Sequence, residues 1–268
     1  MLKRKAYEKL VEWKKQDSKK VLCIIGARQI GKTTLIREFG KQNYECFVEI
    51  NFVEDERAEE IFSGNLNADE IITNLTAYIR KPLIPHKTLI LFDEIQKFPN
   101  VRTAMKFLVE DSRFDYIESG SMLGVRYKEV ESYPVGFEEI YRMYPMDFEE
   151  FLWANGVQQS TVDYLQKCFN ELTPVSASVH NTLNKLFYSY IVVGGMPEAV
   201  QTFVDTHDIG RVIAFQNEIL EQYRLDISQY ADDGDKLKIR AIFDSIPSQL
   251  NEKNRRFYLN SLNKNARL

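Results

Sequence analysis

Over the first half of the chain, short apolar runs alternate with stretches of helical spacing; over the second half, helical spacing stands alone. Val21–Ile25, Cys46–Asn51, Thr88–Phe92 and Phe114–Ile117 are apolar runs of strand length bounded by polar residues, the pattern of strands buried on both faces. Glu139–Tyr144 adds a short fifth run after the acidic pair Glu138-Glu139. Residues 3–17 place Leu2, Ala6, Leu10 and Val11 on one helical stripe. Lys32–Phe39, Asp55–Phe62, Ala68–Arg80 and Val101–Asp111 read as helices between the strands. Strand and helix in alternation predict an α/β fold, a parallel sheet sandwiched by helices. From Phe148 onward only helices are predicted: Phe148–Asn155, Gln158–Leu172, Val179–Val193, Met196–Thr206 and Ile209–Tyr230. Leu172-Thr173-Pro174-Val175-Ser176 reads as a loop, and Asp232-Asp233-Gly234-Asp235 as a short acidic linker.

The first strand runs into Gly26-Ala27-Arg28-Gln29-Ile30-Gly31-Lys32-Thr33, with Thr34 opening the helix that follows. This is the Walker A pattern G-x-x-x-x-G-K-[ST] in its proper setting of strand, glycine loop and helix. The residue types follow from the chemistry. Glycines let the backbone curl so that successive N–H groups face phosphate oxygens. The helix start adds more N–H donors and the positive end of its dipole. Lys32 supplies a point charge for the β- and γ-phosphates, and Thr33 a hydroxyl for Mg²⁺.

Leu89-Ile90-Leu91-Phe92-Asp93-Glu94 is an apolar strand ending in two carboxylates, the Walker B pattern. At the carboxyl end of a parallel strand, Asp93 would face Thr33 across the metal. Glu94, one residue further, is the candidate base that orients the attacking water. The fourth strand ends in Glu118-Ser119-Gly120-Ser121. Ser119, with Ser121 second, is the candidate polar sensor of the γ-phosphate or the water. The alternative is that these serines only cap the next turn.

The chain resembles a family of bacterial and archaeal AAA-type P-loop ATPases, a branch of the signal-transduction-type ATPases with a C-terminal domain of unknown function. The resemblance rests on the two motifs above, extended through Ile95-Gln96, on Glu118-Ser119-Gly120-Ser121, on Tyr144-Pro145-Met146-Asp147-Phe148-Glu149-Glu150-Phe151-Leu152, and on Gly194-Gly195-Met196-Pro197-Glu198. It implies a P-loop ATPase core with its N-terminal helix over residues 1–155, an α-helical lid over 156–231, and a linker with the start of a winged-helix-like region over 232–268. It also implies that Pro197 packs against the adenine, although Gly-Gly followed by Pro is equally a plain turn between helices. Members of such a family run on well past Leu268, so Lys238–Pro247 is expected to be only the first helix of the last region.

Composition narrows the remaining choices. Hydrophobic residues at 44 % and charged residues at 28 % suit an ordinary globular protein. A net charge of −4 gives no overall nucleic-acid footprint, although the stretch from Lys253 to Arg267 is basic. Cys23, Cys46 and Cys168 are scattered, and His86, His180 and His207 are isolated. Neither a zinc site nor a disulfide framework is suggested, and the cytoplasm is the expected compartment. No apolar run approaches ~18 residues, so no membrane partner is expected. The reading is an Mg²⁺-dependent ATP-binding protein that hydrolyses ATP slowly, its nucleotide state coupled to lid movement. The alternative is a nucleotide-dependent switch on DNA or protein with little or no hydrolysis. Homo-oligomerisation stays open, as does the source of an arginine finger, for which Arg28, Arg126, Arg142 and Arg224 are the candidates. A small-molecule kinase fits less well, because no second acceptor-binding motif is visible.

Overall fold

The computed structural model of the chain describes residues 2–16, 20–98, 100–121, 136–230 and 234–252. Among them, β1 (Val21–Gly26), β2 (Cys46–Asn51), β3 (Thr88–Asp93), β4 (Asp115–Ser121) and β5 (Glu138–Arg142) form one parallel sheet in the order β2-β3-β4-β1-β5. Side chains alternate across a pleat, and both faces of this sheet are apolar because both are covered. Leu22, Ile24, Leu89, Leu91 and Ile117 pack under α1 (Lys5–Lys14) and α2 (Lys32–Asn43). Val21, Cys23, Ile25, Ile90, Phe92 and Tyr116 pack under a 3₁₀ segment (Glu56–Phe62), α3 (Ala68–Ile79) and α4 (Asn100–Asp111).

The same alternation sorts the polar residues at the strand ends. Asp93 shares the parity of Leu89 and Leu91, and Ser119 that of Ile117, so both lie on the α2 face. Glu118 falls on the α4 face.

Three expectations are corrected. The fourth strand does not stop at Ile117 but continues to Ser121, because ladders on both sides hold the polar run: Asp93 pairs with Ser119, and Gly26 with Ser121. Asp55–Phe62 forms a 3₁₀ segment rather than an α-helix. There the Asp55 carboxylate accepts from the Arg57 N–H and closes a tight turn at its start. In α1 the buried stripe is Ala6, Leu10 and Trp13, while Leu2 and Val11 are only partly covered. Trp13 is drawn in because its indole N–H donates to the Lys20 carbonyl at 2.8 Å.

After the sheet come α5 (Phe148–Ala154), α6 (Gln159–Glu171), α7 (Ala177–Val193), α8 (Pro197–Thr206), α9 (Ile209–Tyr230) and α10 (Lys236–Asn251). Two compact units result, 1–212 and 213–268. In the second, Arg224 of α9 binds Asp244 of α10 at 3.0 Å, and Tyr223 packs on Phe243. The stretch from Lys253 to Arg267 lies outside the described residues.

A buried polar cluster sits on the α4 face. The Cys23 sulfur and carboxylate oxygens of Glu118 and Glu138 lie within 4.8 Å of one another. Arg102 neutralises Glu138 through contacts of 2.6 and 2.7 Å, whereas among the described residues the Glu118 carboxylate has no cation bonded to it and stands beside the Cys23 thiol. Burial, then the charge of Glu138, push the Glu118 carboxyl up to about 8, and burial likewise pushes the Cys23 thiol up. The folded chain therefore keeps a proton on Glu118 that the unfolded chain releases near pH 4.5. Stability present below that pH is lost as pH rises toward 8. Glu118→Gln, which is neutral throughout, is expected to remove this slope, worth on the order of 3 kcal/mol between pH 5 and 8.5. Urea unfolding at several pH values measures it; parallel curves for the two proteins would contradict the assignment.

Candidate nucleotide-binding site

The Walker A segment leaves the carboxyl end of β1 and enters α2 within five residues. Gly31, at φ +86°, is the left-handed residue before the helix, a conformation that suits glycine. Gln29 adopts φ +62° without that freedom, a strain of about 1 kcal/mol held by the tightness of the loop. Ile30 is fully buried beneath the loop and anchors it to the α1–α2 core. Lys32 opens α2 and folds back under the loop, donating to the Ala27 carbonyl at 2.8 Å and the Gly26 carbonyl at 3.2 Å. Burial holds its ammonium below the usual lysine range; Glu94 and Asp93 oppose that shift and Arg28 adds to it. Thr34 is exposed.

Beneath the loop, Thr33 Oγ1 donates to Asp93 Oδ2 at 2.9 Å. Burial raises the Asp93 carboxyl above its ordinary range, while the neighbouring Ser119 and Thr33 hydroxyls favour its ionised form. Ser119 is opposite Asp93 in the β3–β4 ladder and fully buried. It lies close enough to act on the carboxylate electrostatically, but its hydroxyl completes no hydrogen bond. Glu94 follows Asp93 at φ +58°, and its carboxylate accepts from the Gln96 side-chain amide. The left-handed turn carries Glu94 off the end of β3, away from the ladder. Ser121 is also buried in β4, one pleat beyond Ser119.

This donor set fits a Mg²⁺–nucleotide complex. It offers a hydroxyl and a buried carboxylate in contact, a buried ammonium hydrogen-bonded to backbone carbonyls, and, among the described residues, a hydroxyl without a hydrogen-bond partner beside the carboxylate. Thr33 and Asp93 are the residues that would hold the metal.

A largely apolar cavity of 310 Å³ adjoins the loop, lined by Leu2, Arg4, Gly31, Leu35, Pro197 and Gln201 among others. Pro197, at the start of α8, comes close to Gly31: a Cβ on that glycine would stand 3.7 Å from Pro197 Cγ. The preceding Gly195 is required by packing rather than by φ, since a Cβ there would sit 2.1 Å from the Met146 carbonyl oxygen. Met146 N–H donates to the Gly195 carbonyl at 2.6 Å, and the Tyr190 hydroxyl donates to the Met146 carbonyl at 2.9 Å. The two late sequence segments therefore meet each other beside the loop.

Residues 18–152, half of the chain, match the AAA domain family. The chain belongs to this family. Residues 184–267 match a domain of unknown function that follows the AAA domain. No protein of curated function matches the chain. Among solved structures it is similar to the ORC1 protein of Aeropyrum pernix in complex with DNA, at 14% identity and a TM-score of 0.43, over 98% of this chain and 82% of that one. It is also similar to AMPPCP-bound DnaA from Aquifex aeolicus, at 14% identity and a TM-score of 0.42, over 97% of this chain and 81% of that one. A third similar structure is PCH-2 from C. elegans, at 11% identity and a TM-score of 0.39, over 81% of this chain and 65% of that one.

The arginines considered for a finger are dispersed about the AAA domain and beyond it. Arg28 lies in the loop, near enough to act on Lys32. Arg142 is exposed at the end of β5. Arg224 is engaged by Glu221 and Asp244, and Arg126 lies outside the described residues. Sequence reading missed Arg4, which is 7% exposed and bound to the Ile30 carbonyl of the loop. Its only signal was a cation beside an otherwise solvated run of lysines, which gave no reason to single it out. No helix among the described residues is long and apolar enough to cross a membrane.

Proposed function

We propose that this AAA domain binds ATP with Mg²⁺ at the carboxyl ends of β1 and β3 and hydrolyses it slowly. The observation that carries the reading is the 2.9 Å contact between Thr33 Oγ1 and Asp93 Oδ2 beneath a formed P-loop, with the orphaned Ser119 hydroxyl beside it. In this reading, backbone N–H groups of 26–34 cradle the phosphates, and Lys32 exchanges its carbonyl partners for phosphate oxygens. Thr33 and Asp93 would hold Mg²⁺, which would supply positive charge against the charge developing on the phosphates. Glu94 accepts a proton from the attacking water, and Ser119 donates to the water or to the terminal phosphate. Pro197 lies against the adenine in the apolar cavity, so that nucleotide occupancy sets the position of the helical lid over residues 156–231.

Among the described residues, Arg28 within the loop is the arginine that acts on Lys32, and none from another element completes the charge stabilisation. Such a group accelerates other P-loop enzymes by ~10³–10⁵, so the lone chain is expected to turn over well below one ATP per second. Phosphate release from MgATP, measured with and without EDTA alongside nucleotide affinity, tests this. Slow, EDTA-sensitive release is the expected result. Rapid turnover by a monomer would sink the slow-hydrolysis reading. Tight ATP binding with no release would favour a switch acting on a DNA or protein partner.

A further inference from the structure

The Arg4 guanidinium donates in three directions. Nη1 reaches the Ile30 carbonyl at 2.9 Å, Nη2 the Tyr144 carbonyl at 2.7 Å, and Nε the Glu150 carboxylate at 3.2 Å. Glu150 is itself fully used. Its Oε1 also accepts from the Lys5 N–H at 2.7 Å, the first turn of α1, and its Oε2 from the Asp147 N–H at 3.0 Å, closing a capping box on α5. One carboxylate thus caps two helices and orients one arginine, with Arg4 7% and Glu150 4% exposed. Such a pair is a weak source of stability, because desolvation offsets much of the attraction. Its geometry points elsewhere.

The contact with Ile30 fixes a peptide plane in the phosphate-binding loop. In a trans peptide the carbonyl and the following N–H point in opposite directions, and among the described residues no peptide bond is cis. With the Ile30 carbonyl bonded to Arg4, the Gly31 N–H is turned the other way, away from Arg4. Gly31 has no side chain to resist a flip of that plane, and a flipped carbonyl would present its lone pairs to a phosphate. The contacts then return to the loop. Tyr144 leads to Met146, Met146 is bonded to Gly195, and Pro197 packs back on Gly31.

We propose that Arg4 is a positioning residue: held by Glu150, it keeps the Ile30–Gly31 peptide turned so that its N–H serves the phosphates, and it ties that peptide to the segment carrying α8. This rests on the ATP-binding reading above. It predicts uniform loss of nucleotide affinity when Arg4 is removed, because both the diphosphate and the triphosphate use the loop.

The test is calorimetric titration of MgATP and MgADP into wild type, Arg4→Met, and the double variant Arg4→Met with Glu150→Gln. The double variant removes both charges; the single carbonyl oxygen of glutamine keeps the Asp147 N–H of the capping box and gives up the Lys5 N–H, so it keeps the test alive if Arg4→Met alone fails to fold. Kd is expected to rise about tenfold or more for both nucleotides, the effect of one charge-assisted hydrogen bond. Binding stoichiometry stays unchanged, and KM rises with kcat preserved. A purely structural role would lower the folded fraction, and with it the stoichiometry, while leaving Kd alone; unchanged Kd in a folded variant overturns the proposal. Wild type that binds neither nucleotide would overturn the ATP reading, and this proposal with it.

Discussion

Glu94→Gln is expected to slow ATP hydrolysis by ~10²–10⁴-fold, the usual contribution of a positioned general base, while ATP stays bound with near wild-type affinity. The separation follows from where Glu94 stands. It is beyond the end of β3, in a left-handed turn at φ +58°, and acts on Lys32 through its charge. Its nearest restraint is the Gln96 side-chain amide. Glutamine has the same shape, keeps an acceptor for Gln96, and tolerates the turn as glutamate does. Only the capacity to take a proton is removed. Single-turnover phosphate release with a parallel binding titration measures both quantities. Turnover within about threefold of wild type would remove Glu94 from the reaction and return attention to the buried carboxylate, Asp93.

How much of this was legible in the sequence depended on the range of the interactions. The strands were readable because β1 and β3 are apolar on both faces, a pattern that few other elements give. The loop was readable because its chemistry lies within nine consecutive residues, Gly26–Thr34. The end of β4 was not: Glu118-Ser119-Gly120-Ser121 has the composition of a turn, and only the ladders from β1 and β3 make it a strand. Once it is a strand, the pleat separates adjacent residues, sending Ser119 toward Asp93 and Glu118 toward Cys23 and Arg102. The Arg4–Glu150 pair joins residues 146 apart in sequence, so no local pattern announced it. Likewise, the need for glycine at position 195 comes from the Met146 backbone and not from any turn preference of its own.

Lys32→Ala is the second large effect, and it is expected to move binding and stability in different directions. The side chain is 9% exposed, and burial depresses its basicity. Its partners in the protein are two backbone carbonyls, with Asp93 and Glu94 acting only at longer range. An ammonium held this way carries a desolvation penalty that the fold does not fully offset. Removing it should therefore leave the unfolding midpoint unchanged or slightly raised. The phosphates are what offset the penalty: their charge restores the ammonium to its ordinary basicity, and that energy appears as affinity. Loss of charge-assisted bonds to two phosphates, each worth ~1.5–3 kcal/mol, weakens MgATP binding by roughly 10²–10⁴-fold. Thermal unfolding of Lys32→Ala with and without MgATP reads both at once. Wild type is expected to gain stability as RT ln(1 + L/Kd) at free nucleotide concentration L, and the variant to gain little at concentrations below its raised Kd. A variant that unfolds much earlier than wild type without nucleotide would mean that Lys32 holds the loop together rather than waiting for phosphate. A variant stabilised by MgATP as strongly as wild type would place the nucleotide elsewhere.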